Sequence, residues 1–170
     1  PATLLHGVTL RIRAEHSISW RRAAILKAYY LRCPHSDVPE EVLQVSLNPD
    51  ATHVPYLLGR IFSILETIQE AANPGINTTI KDRYFNSAAA TPAIIFPTLI
   101  ALAQKHLKKL TGDRPGLAIS LNRQLTALLS LLPITTFPAR MSLPEQGAFQ
   151  LGYYHQTQAR YQKKEEPEHV

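Results

Sequence analysis

The stretch PYLLGRIFSILETIQEAA, residues 55–72, decides the fold class. On a wheel of about 100° per residue, Leu57, Leu58, Ile61, Phe62, Ile64, Leu65, Ile68, Ala71 and Ala72 fall on one half. Arg60, Ser63, Glu66, Thr67 and Glu70 fall on the other. An apolar half with that period is the signature of an amphipathic helix, not of a strand. Pro55 suits a first helical turn, where an N–H would lack a partner anyway, and Asn73-Pro74-Gly75 stops the helix.

Working outward, the same period recurs. Leu117, Leu121, Leu125, Leu128 and Leu132 face Arg123, Thr126 and Ser130 across a second helix that Pro133 closes. Thr91-Pro92 reads as N-cap and first turn, and Asp37 to Glu40 and Ser142 to Glu145 read as capping boxes. Helices are therefore predicted at 18–32, 38–46, 55–72, 79–88, 92–110, 116–132 and 143–163. In the first of these, Trp20, Ala24, Ala28 and Leu31 define one buried side. Val8 to Arg13 alternates as a strand would but has no second strand to pair with, so it is read as helix or irregular and residues 1–16 as an N-terminal segment of unassigned type. The predicted architecture is all-α: one compact helical bundle over residues 1–170, with a frayed acidic tail at 164–170.

Composition bounds the function. Of the 170 residues, 45% are apolar and 18% charged, which excludes a solvating disordered chain. The single Cys33 excludes an internal disulfide framework and a multi-cysteine zinc site. The chain begins at Pro1, as expected of a processed product or a piece of something longer. No secretory signal is visible, so the cytoplasm is the expected location. Tyr84 to Gln104 carries no charge over 21 positions, near the length that spans a bilayer. Asn86, Ser87, Thr91, Pro92 and Pro97 interrupt it, so the expectation is a buried helix hairpin and no membrane.

The net charge of +5 is unevenly spread: residues 1–36 carry +5, 37–74 carry −5, 75–164 carry +8 and the tail −3. Basic segments flanking an acidic one suit a polyanion binder with a separate protein contact, and a mixed soluble surface gives the same pattern. Seven histidines form no metal-binding spacing, and no nucleophile elbow, P-loop or dinucleotide fingerprint is present. No catalytic residue, metal or cofactor is therefore assigned. His106 falls in the apolar arc of helix 92–110 and is expected to be a hydrogen-bonded core histidine.

Lys105, Lys108 and Lys109 share about 100° of arc on helix 92–110, opposite Leu99 and Leu110. Lys81 and Arg83 lie beside Tyr84 and Phe85, a mixture that serves single strands through charge and stacking; an ion pair centred on Asp82 is the structural alternative. Both cations are expected to face solvent or nucleic acid while an aromatic packs inward. With Arg22 and Lys27 on helix 18–32 and Arg60 on 55–72, these are the candidate nucleic-acid contacts, about six of which are expected to meet phosphates together.

Longer strings carry a resemblance. Arg22 to Tyr29 (RAAILKAY), Tyr56 to Glu70, Thr79 to Phe85 (TIKDRYF), Ala90-Thr91-Pro92, Phe96-Pro97, His106-Leu107 and Leu143 to Gln156 (LPEQGAFQLGYYHQ) resemble the C-terminal region of the Csd-type large subunit of the type I-C CRISPR interference complex. The likeness runs in order over about residues 11–162. It implies an RNA-guided complex in which base pairing reads the target. In it a C-terminal helical bundle, similar to the small subunits, holds the displaced single-stranded DNA and touches neighbouring subunits. It also implies that cleavage belongs to a separate helicase-nuclease, and that the same region can be made either as part of the large subunit or separately, by internal initiation, as a small subunit. Met141, the sole methionine, lies too late for such a start. The second expectation, from another class, is a purely structural helical module without nucleic-acid contact.

Overall fold

The computed structural model describes residues 46–133 and 136–165, the last four of them as backbone, together with Ala24, Ile25, Ala28, Tyr29 and Arg32. From residue 46 onward the described chain forms five α-helices and no strand: α1 Val54–Ala72, α2 Ile80–Ala90, α3 Pro92–Asp113, α4 Pro115–Ser130 and α5 Leu143–Glu165. The five predicted helices from residue 55 onward are all present. α3 runs three residues further than predicted, α4 stops two earlier, and α5 reaches Glu165, inside the tail expected to fray. Of the segment predicted at 18–32, the described residues are helical, but Ala24 and Ala28 are exposed rather than part of a buried side. Trp20, Leu31, the run Val8–Arg13 and the Asp37 capping box lie outside the described residues, as does all of 38–46 except Ser46.

α1 is the axis of the bundle and packs against α2, α3, α4 and α5. Every residue from Pro55 to Glu66 is buried, so the helix has no solvent face over three turns. Its apolar half meets Phe85, Phe96, Leu99, Leu110, Leu121 and Leu125 in one continuous core. Phe62, Phe85, Phe149 and Tyr153 form a ring cluster at the centre, with centroid separations of 5.0 Å for Phe85–Tyr153 and 5.8 Å for Phe62–Phe149. Edge-on aromatic contacts of this kind add about 0.5–1.5 kcal/mol each beyond burial.

The polar half of α1 is covered by α5, which runs beside it in the same direction. Two glycines permit the approach. A Cβ at Gly59 would overlap the Phe149 carbonyl, and one at Gly152 would overlap the Tyr56 carbonyl, so backbone meets backbone at the crossing.

The uncharged stretch 84–104 folds as the helix pair α2–α3, joined through Thr91 alone. It is buried on one side only: Asn86, Ser87, Ile94, Pro97, Thr98, Ala101 and Gln104 are exposed. Thr91 does not cap α3 with its side chain; its hydroxyl donates to Ser87 O at 3.0 Å instead. The segment after α4 staples this corner, because Ala93 N donates to Pro138 O and Met141 N to Ala90 O, both at 3.0 Å. Ser142 and Glu145 form the predicted capping box at the start of α5, with bonds of 2.6 Å and 3.5 Å. In α4 the buried stripe is Ala118, Leu121, Leu125 and Leu128; Leu117 is exposed and Leu132 lies beyond the helix end. No described helix is long and apolar enough to cross a membrane.

Candidate nucleic-acid interface

The candidate cations divide into two groups. On α3 the inward stripe is Phe96, Leu99, Ala103, Leu107 and Leu110, spaced three or four residues apart. The opposite side therefore carries Lys105, Lys108 and Lys109 outward, and all three are exposed. Lys109 Nζ also donates to Asn73 Oδ1 at 3.0 Å, at the C-terminus of α1, and Arg114 donates to Ala71 O beside it. Two cations thus sit on the negative end of the α1 dipole, Arg114 on a carbonyl of its last turn and Lys109 on the side chain of the residue that ends it. His106, between the lysines in sequence, is half-buried. Its Nδ1 lies 3.3 Å from Asn73 Nδ2, which can only donate, so the ring proton belongs on Nε2. Burial pushes the His106 pKa down, with Lys109 adding to the effect.

Arg83 is exposed on α2, whereas Lys81 is not. Its ammonium lies over the Tyr153 ring, 4.8 Å from the centroid, and 5.9 Å from that of Tyr154. Phe85 packs inward at 8% exposure, as predicted for an aromatic here. Asp82 does not pair with its cationic neighbours in a salt bridge; its Oδ2 accepts from Thr79 N at 2.9 Å as one arm of a capping box. The other leading amides of α2 are also taken: Ile80 N donates to Gln69 Oε1 at 2.8 Å and Lys81 N to Thr79 Oγ1 at 3.2 Å. This helix start has no free amide for a phosphate.

Arg60 is the clearest departure from expectation. It is 6% exposed, and its Nε donates to Gln156 Oε1 at 3.1 Å while Nη1 donates to the Asn48 and Pro49 carbonyls at 3.1 Å and 3.2 Å. Burial pulls its pKa below the usual arginine value, and Tyr56 and Asp50 oppose that shift.

It belongs to a polar seam between α1 and α5 that the wheel did not distinguish from a wet surface. Tyr56 OH lies 2.9 Å from His155 Nδ1, and Ser63 Oγ lies 2.9 Å from Thr157 Oγ1, whose own proton goes to Tyr153 O. Arg160 pairs with Glu70 at 3.3 Å and donates to Thr67 Oγ1. At the centre Glu66, 8% exposed, accepts from Tyr153 OH at 2.6 Å and from Thr79 Oγ1 at 2.9 Å. Burial raises the Glu66 pKa, against the opposing pull of Tyr153 and Lys81. Burial and the Glu66 charge raise that of Tyr153.

Arg22 and Lys27 lie outside the described residues. Of the rest, Arg83, Lys105, Lys108 and Lys109 face outward, and Arg60 and Lys81 face the seam. Arg114, Arg123 and Arg140 are further exposed cations. Arg123 stood opposite the leucines on its wheel and was legible as an outward cation; Arg114 and Arg140 sit between helices, where no wheel applies. Among the described residues from 46 onward, exposed acids are fewer: Asp50, Asp82 and Asp113. The described residues contain no cluster of three His, Cys, Asp or Glu able to hold a metal. No curated protein matches the sequence. A family described as CRISPR-associated protein (Cas_Csd1) matches residues 1–161, nearly the whole chain, and the protein belongs to that family.

Proposed function

We propose that this chain is a non-enzymatic part of a type I-C RNA-guided interference complex, working in the cytoplasm, that holds displaced single-stranded DNA and contacts neighbouring subunits. The supporting observation is the exposed lysine trio of α3, on a described surface richer in cations than in acids, in a member of a CRISPR-associated family. Phosphate contacts of this kind position a strand and carry no base information, so sequence preference is slight. With Arg60 and Lys81 engaged in the seam, Arg83, Lys105, Lys108 and Lys109 remain as contacts among the described candidates. Four contacts correspond to a slope of about −3 in log affinity against log salt, against about −4 for six. Raising salt from ~50 to ~200 mM then weakens binding about fifty-fold. The test is titration of labelled single-stranded and double-stranded DNA at both salts. Charge removal at Lys105, Lys108 and Lys109 together is expected to flatten the slope by up to about two units. An unchanged slope would remove that face from the interface.

The second reading, a structural module that touches no nucleic acid, draws on exposed apolar side chains. Ile94, Ile119 and Leu143 are 69%, 61% and 70% exposed and suit protein contacts. A chain that binds no single strand, alone or assembled, would decide for it.

A further inference from the structure

The α2 helix carries two cations that point in opposite directions, and the structure contains the device that separates them. Lys81 and Phe85 are four residues apart and share one side of the helix, while Arg83, about 200° from Lys81, stands on the other. The rotation of α2 about its axis decides which cation meets solvent. That rotation is set from α1. Glu66 accepts the Thr79 hydroxyl, and Thr79 Oγ1 in turn accepts Lys81 N. Gln69, one turn on, accepts Ile80 N. The second oxygen of Glu66 holds Tyr153 OH, and the Tyr153 ring lies under the Lys81 ammonium. One buried carboxylate therefore ties the first turn of α2 to α5 and turns Lys81 inward.

We infer that Glu66 is a positioning residue for Arg83: it touches no strand itself but fixes the turn of α2 so that Arg83 stands outward and meets a phosphate. This rests on the single-strand reading proposed above. The bundle's centre explains why a carboxylate serves here. Two hydroxyls must both donate to one group, which a carboxylate accepts on its two oxygens, whereas an amide has only one oxygen to accept on.

The experiment is a double-mutant cycle on the full chain, read as the salt slope of single-strand binding. Arg83→Ala is expected to lower the slope by about 0.7, or about 2.5-fold in affinity over a fourfold salt change. Glu66→Gln is expected to do the same, and the double variant no more than either alone. Lys105→Ala, on another helix, should subtract its own ~0.7 in every background. Hydrogen exchange gives a second readout that needs no DNA: amides of residues 81–85 should lose protection in Glu66→Gln while those of α4 keep theirs. If Glu66→Gln does not fold, Tyr153→Phe removes the α5 arm of the same contact, leaves the Thr79 cap of α2 intact and takes its place. A slope lowered by Arg83→Ala but untouched by Glu66→Gln overturns the inference, as does unchanged exchange at 81–85. A wild-type chain that binds no strand removes the DNA reading and with it the part of the inference that concerns Arg83; selective loss of protection at 81–85 would then still establish Glu66 as the anchor of α2.

Discussion

The α1–α5 seam and the outer face of α3 contain the same kinds of residues and put them to opposite uses. Arg60 is enclosed by carbonyls and an amide, and Lys81, half-buried, lies over aromatic rings; Lys105 and Lys108 stand in water, and Lys109 is exposed with one bond to Asn73. A charge removed from water must find partners or it costs several kcal/mol, so the enclosed cations are held to one geometry. A charge left in water gives little stability and remains free to meet a partner. Side-chain chemistry alone does not separate the two; what covers each side chain does.

The comparison breaks most decisively at the glycines. Gly59→Ala or Gly152→Ala places a methyl group into a carbonyl of the facing helix and should cost about 3 kcal/mol or more, seen as a lowered urea midpoint. Gly112→Ala on α3, where nothing lies near the new methyl group, should be neutral or gain up to about 1 kcal/mol. Equal effects at the two kinds of site would mean that the helices do not touch where described.

Next in size is the polar knot. Tyr153→Phe leaves Glu66 Oε2 buried without its donor and should cost about 1–3 kcal/mol in the same assay. A change below about 0.5 kcal/mol would place that carboxylate in contact with water.

pH sharpens the contrast. The Glu66 pKa is raised, so the folded chain binds its proton more tightly than the unfolded chain does. Its contribution is full below the ordinary glutamate value of about 4.3 and is lost as pH rises through the folded value. Glu66→Gln removes this dependence, so its stability should gain on the wild type as pH climbs from about 4 to 7. The His106 pKa is lowered, and its contribution runs the other way: full above about 6.5 and lost as pH falls through its folded value. A His106→Gln chain should lose less than the wild type on acidification below about 6. Urea midpoints across the range test both signs.

The smallest effect belongs to the exposed face. Lys105→Ala or Lys108→Ala should move stability by no more than about 0.5 kcal/mol, while Lys109→Ala, which loses its bond to Asn73, should sit at the upper end of that range. A larger loss at Lys105 would mean that the face is packed against something and not open.

Much of this was legible in the sequence, because helix period and breaker residues are local signals. Leu57 to Ile68 and Leu121 to Leu128 announce their helices, and Ser142 with Glu145 announces a start that the structure contains. The destination of α1's polar half was not legible. Arg60, Ser63 and Glu66 occupy the same arc of a wheel whether they meet water or the amide and hydroxyls of a helix some 90 residues on. The hint lay in the far segment, where Tyr153, Gln156 and Arg160 share a side, but pairing two polar arcs takes three dimensions. Thr91-Pro92 marked the start of α3 where the structure has it, although the threonine hydroxyl bonds back to a carbonyl of α2 and does not cap the next helix. At the candidate interface the lysine trio was legible from its arc, and the inward turn of Lys81 was not, because Tyr153 lies beyond any local window.

The parallel run of α1 beside α5 also dictates an order of events during synthesis. Their hydrogen bonds join residues 87 to 99 positions apart, as in Glu66–Tyr153 and Tyr56–His155. Such contacts require closure of a long loop before they return any stabilisation, which slows folding. As the chain leaves the ribosome, α1 emerges with Arg60, Ser63 and Glu66 lacking their α5 partners and must wait for these until α2, α3 and α4 have followed. At synthesis rates of about 5–20 residues per second, that interval lasts several seconds. During it Gly59 presents bare backbone, and α5, once it has followed, closes the bundle over it.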